Sequence, residues 1–175
     1  MREAVKDQRA AVFFDRDGVL NIDHGYVGEL GRFEWVTGAR QAIAAVNGAG
    51  RLAIVITNQS GVARGMFTEA DVAGLHAAME ADLATIGARI DAFYICPYHA
   101  DARVAAFRHP DHPDRKPNPG MIMRAITDWD IDPGRSVLIG DKESDMEAAR
   151  RAGVVGLLFE GGDLAEFVAG VIGAK

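Results

Sequence analysis

The chain reads as an α/β protein: one doubly wound, Rossmann-like parallel sheet with helices on both faces and no large cap domain. Three observations predict this. Five short apolar runs, at residues 11–14, 52–56, 92–95, 136–139 and 155–159, are near-continuous rather than alternating, as befits strands buried on both faces. Helical patterns lie between them, and strand–helix–strand order implies parallel pairing through crossovers. The length of 175 residues, with 49% hydrophobic and 25% charged residues, suits one domain over residues 1–175 with a full core.

Taken in order, the first run, "AVFF", stops at Asp15. Residues 39–46 are alanine-rich and end in the helix stop "NGAG". Residues 68–86 open on Thr68 as N-cap, with Asp71 at the capping-box position. There Val72, Leu75, Met79, Leu83 and Ile86 recur at helical spacing. Asn118 and Pro119 begin a helix that reaches Trp129. Ser144 is placed to cap a helix through Ala152, stopped at Gly153. Residues 97–119, rich in Pro, His, Asp and Arg, form a long loop of the kind that is usually functional or disordered.

The formal net charge of −6 argues against a general nucleic-acid binder, and no apolar run approaches membrane-spanning length. A single cysteine excludes an internal disulfide framework and suits a reducing compartment. The polar start "MREAVKDQRA" lacks the apolar stretch of a signal peptide. The expectation is a cytoplasmic monomer acting on a small molecule.

Ligands of open α/β sheets bind beyond the carboxyl ends of the strands. There the sequence places Asp15 and Asp17, Thr57-Asn58, Cys96 and Asp141. Two carboxylates one residue apart raise each other's pKa unless solvent or a cation compensates. Asp15, Asp17 and Asp141 are hard oxygen ligands suited to Mg²⁺. The Thr57 hydroxyl and the backbone N–H groups of "TNQSG" suit a phosphate, and Lys116 in "DRKPNPG" supplies positive charge. Together these describe metal-assisted phosphoryl transfer, with a carboxylate able to attack phosphorus.

The stretches "DRDGVLN", "TNQSG", "RKPNPG" and "GDKESD" resemble, in order and position, the four motifs of haloacid dehalogenase-type phosphatases. With "DHGYV", "GVARGMFTE" and "CPYH", the pattern is most similar to the heptose bisphosphate phosphatases and their histidinol-phosphate phosphatase cousins. The resemblance implies that Asp15 is the nucleophile and Asp17 the general acid and base. It implies Mg²⁺ held by Asp15, Asp141 and the backbone carbonyl of Asp17. Thr57, Asn58 and Lys116 match contacts to the transferring phosphate. Asp23, His24, Gly25, Tyr26, Gln59, Ser60, Arg115 and Lys142 match residues that grip the sugar and its distal phosphate. Asp145 is placed to support Asp141 or the waters on the metal.

Cys96, His99, His109 and His112 form a candidate tetrahedral zinc set. The zinc-bearing relatives that the pattern resembles carry Cys-x-His and Cys-x-Cys pairs. Here Tyr98 takes the first histidine position, and His112 and Asp114 take those of the later cysteines. A proline-stiffened loop without metal is therefore favoured over one holding Zn²⁺. The leading expectation is removal of the 7-phosphate of D-glycero-D-manno-heptose 1,7-bisphosphate, in synthesis of lipopolysaccharide or another surface glycan. The alternatives are a histidinol-phosphate or other small sugar-phosphate phosphatase and, from another class, a phospho-acceptor signalling domain.

Overall fold

The structure, a computed structural model, describes residues 8–173. Residues 1–7, which carry most of the polar N-terminal stretch, lie outside the described residues. Five strands pair in parallel in the order β3-β2-β1-β4-β5: β1 (Ala11–Phe14), β2 (Leu52–Asn58), β3 (Ala92–Cys96), β4 (Val137–Gly140) and β5 (Val155–Leu158). The helices are α1 (Ala39–Gly48), α2 (Ser60–Ala63), α3 (Glu69–Ala84), α4 (Gly120–Trp129), α5 (Glu143–Arg151) and α6 (Leu164–Gly173).

Side chains alternate across each strand, so β1 divides its residues between two cores. Val12 and Phe14 face α1, α3 and α6 through Ile43, Leu75, Met79 and Leu164. Ala11 and Phe13 face α4 and α5 through Met121, Ile122 and Ala148. Phe13 and Phe14 are both fully buried, and each contributes about 1.5–3 kcal/mol by leaving water. Burial on both faces explains why β1 and β2 read as unbroken apolar runs. The run at 155–159 breaks that rule: β5 is an edge strand whose Val155 and Leu158 are exposed.

Thr68 caps α3, accepting from the Asp71 N–H, while Asp71 accepts from the Thr68 N–H. The helix stops at Ala84, short of the expected Ile86, which is exposed. Ser144 does not cap α5; it sits in the first turn, and Asp145 Oδ2 reaches back to the Lys142 N–H at 3.1 Å. α6 was not anticipated, although Asp163 accepts from the N–H groups of Ala165 and Glu166 as an N-terminal acid does. Among the described residues no large cap domain covers the sheet. Residues 15–38 form a flap with one short 3-10 turn, and residues 97–119 form the long loop.

Candidate active site

Parallel register brings the carboxyl ends of β1, β2 and β4 together. Phe14 pairs with Val55 on one side and Ile139 on the other, and the Asp15 N–H donates to Ile139 O at 2.9 Å. The next residues out are Asp15, Thr57-Asn58 and Asp141, as the strand reading requires. Asp15 and Asn58 line an open crevice of about 480 Å³, together with Asp17, Lys116, Lys142 and Asp145.

Lys116 lies at its floor, 4% exposed. Its Nζ is 2.9 Å from Asp15 Oδ1, 2.6 Å from Asp145 Oδ1 and 3.1 Å from Ile56 O. Asp145 is equally buried, and its second oxygen accepts from the Asp141 and Lys142 N–H groups. It therefore anchors the ammonium and the start of α5 at once. Gly140 makes room for this, because a Cβ there would lie 2.3 Å from Asp145 Cβ.

One oxygen each from Asp15, Asp141 and Asp145 lie within 4.8 Å of one another. Burial raises Asp15 to about 7; Lys116 opposes the rise, while Asp145 and Asp17 add to it. Burial also raises Asp141, against Lys142. Burial alone would lower Lys116, but Asp15 and Asp145 outweigh it and hold its ammonium above the ordinary range. One ammonium among these carboxylates leaves a deficit of positive charge. Asp141 Oδ1 is buried without a hydrogen-bond partner. An unpartnered carboxylate oxygen among other hard oxygens fits Mg²⁺. Gly18 keeps the approach open: its φ is +88°, and a Cβ there would lie 2.1 Å from Asp141 Oδ2.

Asp17 stands beside this cluster, and donors hold both its oxygens. Oδ1 accepts from Arg16 Nη2 and Asn21 Nδ2, each at 3.0 Å. Oδ2 accepts from Gln59 Nε2 at 2.8 Å and Arg16 Nη2 at 3.1 Å. Arg16, Asn21 and Gln59 are all buried. Sequence reasoning missed Arg16 and Asn21 and assigned Gln59 to the sugar. Its amide bridges Asp17 Oδ2 and Thr57 Oγ1, the latter at 2.9 Å, and the residue lines the crevice.

Among the candidate substrate residues, Asp23, Gly25, Tyr26, Asn58, Gln59, Ser60, Arg115, Lys116 and Lys142 line the crevice. His24 does not: its ring meets Glu34 at 3.2 Å in an exposed contact away from the crevice. Thr57 is fully buried beneath the floor. Lys142 Nζ stands 3.6 Å from Asp23 Oδ2, spanning the rim. Arg115 Nη1 donates to Tyr98 O at 3.2 Å. Tyr26, at φ +52°, carries the Arg64 guanidinium over its ring.

Cys96, His99, His109 and His112 are not gathered into a ligand set; among the described residues only the three aspartates cluster within metal-ligand reach. Each histidine accepts through Nδ1 from the backbone N–H two residues on, at Asp101, Asp111 and Asp114. Tyr98 stacks on His112, centroids 3.9 Å apart and nearly parallel. The stack and these turn contacts commit the His112 ring face and the Nδ1 atoms of all three histidines to folding the loop.

A family model described as "HAD-hyrolase-like" matches residues 114–166. Over 166 residues the chain is 48% identical to a protein of Rhodopseudomonas palustris, covering 94% of this chain and 91% of that one. The chain belongs to the haloacid dehalogenase-like phosphatases and is a phosphoric monoester hydrolase. That relative is a D-glycero-beta-D-manno-heptose-1,7-bisphosphate 7-phosphatase. A D-glycero-alpha-D-manno-heptose-1,7-bisphosphate 7-phosphatase of Burkholderia mallei is 45% identical over 144 residues, 82% of this chain and 76% of that one. The crystal structure of D,D-heptose 1.7-bisphosphate phosphatase from B. bronchiseptica, complexed with magnesium and phosphate, aligns with a TM-score of 0.79 and 32% identity. It covers 92% of this chain and 86% of that one.

Proposed function

We propose that this chain is a Mg²⁺-dependent phosphatase that removes the 7-phosphate of D-glycero-D-manno-heptose 1,7-bisphosphate through an aspartyl-phosphate on Asp15. The observation that carries the reading is Asp15 itself: a buried carboxylate at the end of β1, held by Lys116 beside the unpartnered oxygen of Asp141. Asp15, Asp141 and the backbone carbonyl of Asp17 would hold the ion, which would neutralise phosphate oxygens and orient phosphorus for in-line attack.

The remaining chemistry belongs to the chain. An oxygen of Asp15 bonds to phosphorus as the bond from phosphorus to the sugar oxygen breaks. Asp17 gives its proton to that departing alkoxide. Asp17 then takes a proton from water, whose oxygen attacks phosphorus, breaking the bond to Asp15 and releasing inorganic phosphate. Lys116 meets the negative charge of the phosphoryl group in both steps. Arg115 and Lys142, on the rim, supply a second positive cluster for a second phosphate on the same sugar. The names of the relatives support that substrate for either anomer.

Histidinol phosphate would bring an amine to a rim where the positive charges of Arg115 and Lys142 already stand. A phospho-acceptor signalling role fits poorly with Asp17 poised two residues from Asp15. The reading keeps the chain a monomer of the cytoplasm, a compartment that the single cysteine suits.

The test is steady-state kinetics with Mg²⁺ on both heptose bisphosphate anomers and on histidinol phosphate. One heptose anomer should exceed histidinol phosphate in kcat/KM by about 100-fold or more. Preference for histidinol phosphate would overturn the substrate assignment.

A further inference from the structure

Between Asp15 and Asp17 lies an arginine with no exposure to solvent. A buried guanidinium needs a charge partner and enough acceptors, because it cannot shed its proton. Arg16 faces Asp17, with Nη2 at 3.0 and 3.1 Å from the two carboxyl oxygens, and balances the charge that Asp17 carries once its proton has left. Nη2 also donates to the Val27 carbonyl of the flap. On the other side, Nη1 lies 3.1 Å from Nε2 of His76, on α3.

His76 is 5% exposed. Its ring stacks on Phe93 of β3, with centroids 4.1 Å apart and planes 13° from parallel. Arginine has no acceptor atom, so Nε2 accepts and the ring proton sits on Nδ1. Burial first, then Arg16, holds His76 down to about 3, so the ring is neutral at working pH. The chain of contacts therefore runs from the sheet to the site: Phe93 fixes the ring, the ring fixes Nη1, and Nη2 fixes the Asp17 carboxylate.

We propose that Arg16 and His76 are positioning residues for phosphoryl transfer, holding the Asp17 carboxylate where it can pass a proton to the departing alkoxide. This rests on the proposed role of Asp17 as general acid. A displacement of about 1 Å in such a group costs on the order of 100-fold in rate. His76→Phe keeps the stack on Phe93 and removes the acceptor for Nη1. His76→Gln puts an amide oxygen near the place of Nε2.

The discriminating experiment varies the leaving group. A sugar alkoxide needs a proton to depart; p-nitrophenolate does not. First-turnover rates are measured with Mg²⁺ on heptose 1,7-bisphosphate and, as the p-nitrophenol burst, on p-nitrophenyl phosphate. His76→Phe should slow the sugar substrate by about tenfold or more, with KM within about twofold, while the burst slows by less than about threefold. His76→Gln should recover most of the loss. An equal slowing of both substrates would mean that the contact only supports the fold, and no slowing of either would mean that it does neither; each overturns the proposal. If His76→Phe does not fold, the same comparison is read on His76→Asn, whose shorter amide cannot reach Nη1. An inactive wild type would refute the proposed function, whereas an unchanged substrate ratio in an active variant refutes only the positioning role.

Discussion

Asn58 and Lys116 hold each other by two reciprocal hydrogen bonds: Asn58 Nδ2 donates to Lys116 O, and Asn58 Oδ1 accepts from the Lys116 N–H, both at 3.1 Å. The end of β2 is thereby tied to the long loop at the residue that reaches the site. The side-chain amide of Asn58 thereby fixes the backbone of Lys116 in place. Asn58→Ala should lower stability by about 1–3 kcal/mol and kcat by about tenfold or more. Denaturant unfolding and steady-state kinetics check this; an unchanged kcat would mean that the rest of the loop places Lys116 unaided.

Among the described residues, Lys116 is the only cation on the floor, shared by Asp15 and Asp145. Lys116→Met would leave both carboxylates buried without it. The expected loss is about 3–5 kcal/mol in metal-free buffer, together with at least about 100-fold in kcat. Chemical denaturation in EDTA measures the first and turnover the second. A variant as stable as the wild type would show that solvent or a proton replaces the ammonium at no cost.

Gly18 and Asp141 are packed as tightly as a glycine allows. Gly18→Ala imposes both strain at φ +88° and a clash with Asp141 Oδ2. Binding to the folded state alone raises stability, so Mg²⁺ should raise Tm in the wild type. That rise should vanish in Gly18→Ala and in Asp141→Asn, which alters the oxygen without the strain. Thermal melts with and without Mg²⁺ decide it, and a full rise in either variant would remove Asp141 from the ion site.

The buried His76 sets a pH dependence of stability. Its folded value of about 3 lies below its ordinary 6.5, so between these limits the unfolded chain binds more protons. The contribution is complete above about pH 6.5 and is lost as pH falls toward 3. Arg16 and Asp17 are the charged groups named with burial in this shift, and Asp17 works against it. Urea midpoints at pH 7 and pH 4.5 should fall further apart in the wild type than in His76→Gln, which cannot titrate. Equal differences would place a charged His76 in the folded protein.

The positions of Asp15, Thr57 and Asp141 were legible because strand ends fix where a residue goes, and a parallel sheet gathers its ends. Thr68 and Asp71 were legible because a capping box is local. Arg16 was not, since nothing in "DRDG" separates a solvated arginine from one buried under a flap. His76 left a signal that went unread: it sits one residue after Leu75 and three before Met79, on the buried stripe of α3. His24 and Gln59 carry motif positions, but their directions depend on Glu34 and Asp17, which only the folded flap supplies. The histidines of the long loop show the same limit, because ligand spacing does not reveal that Tyr98 will stack on His112.

The most direct test of Asp15 as nucleophile is the stereochemical course at phosphorus, using a thiophosphate monoester made chiral with oxygen isotopes and hydrolysed in isotopic water. Transfer to Asp15 and then to water is two in-line displacements, which predict net retention of configuration. Net inversion would mean that water attacks the substrate directly, and it would contradict the aspartyl-phosphate.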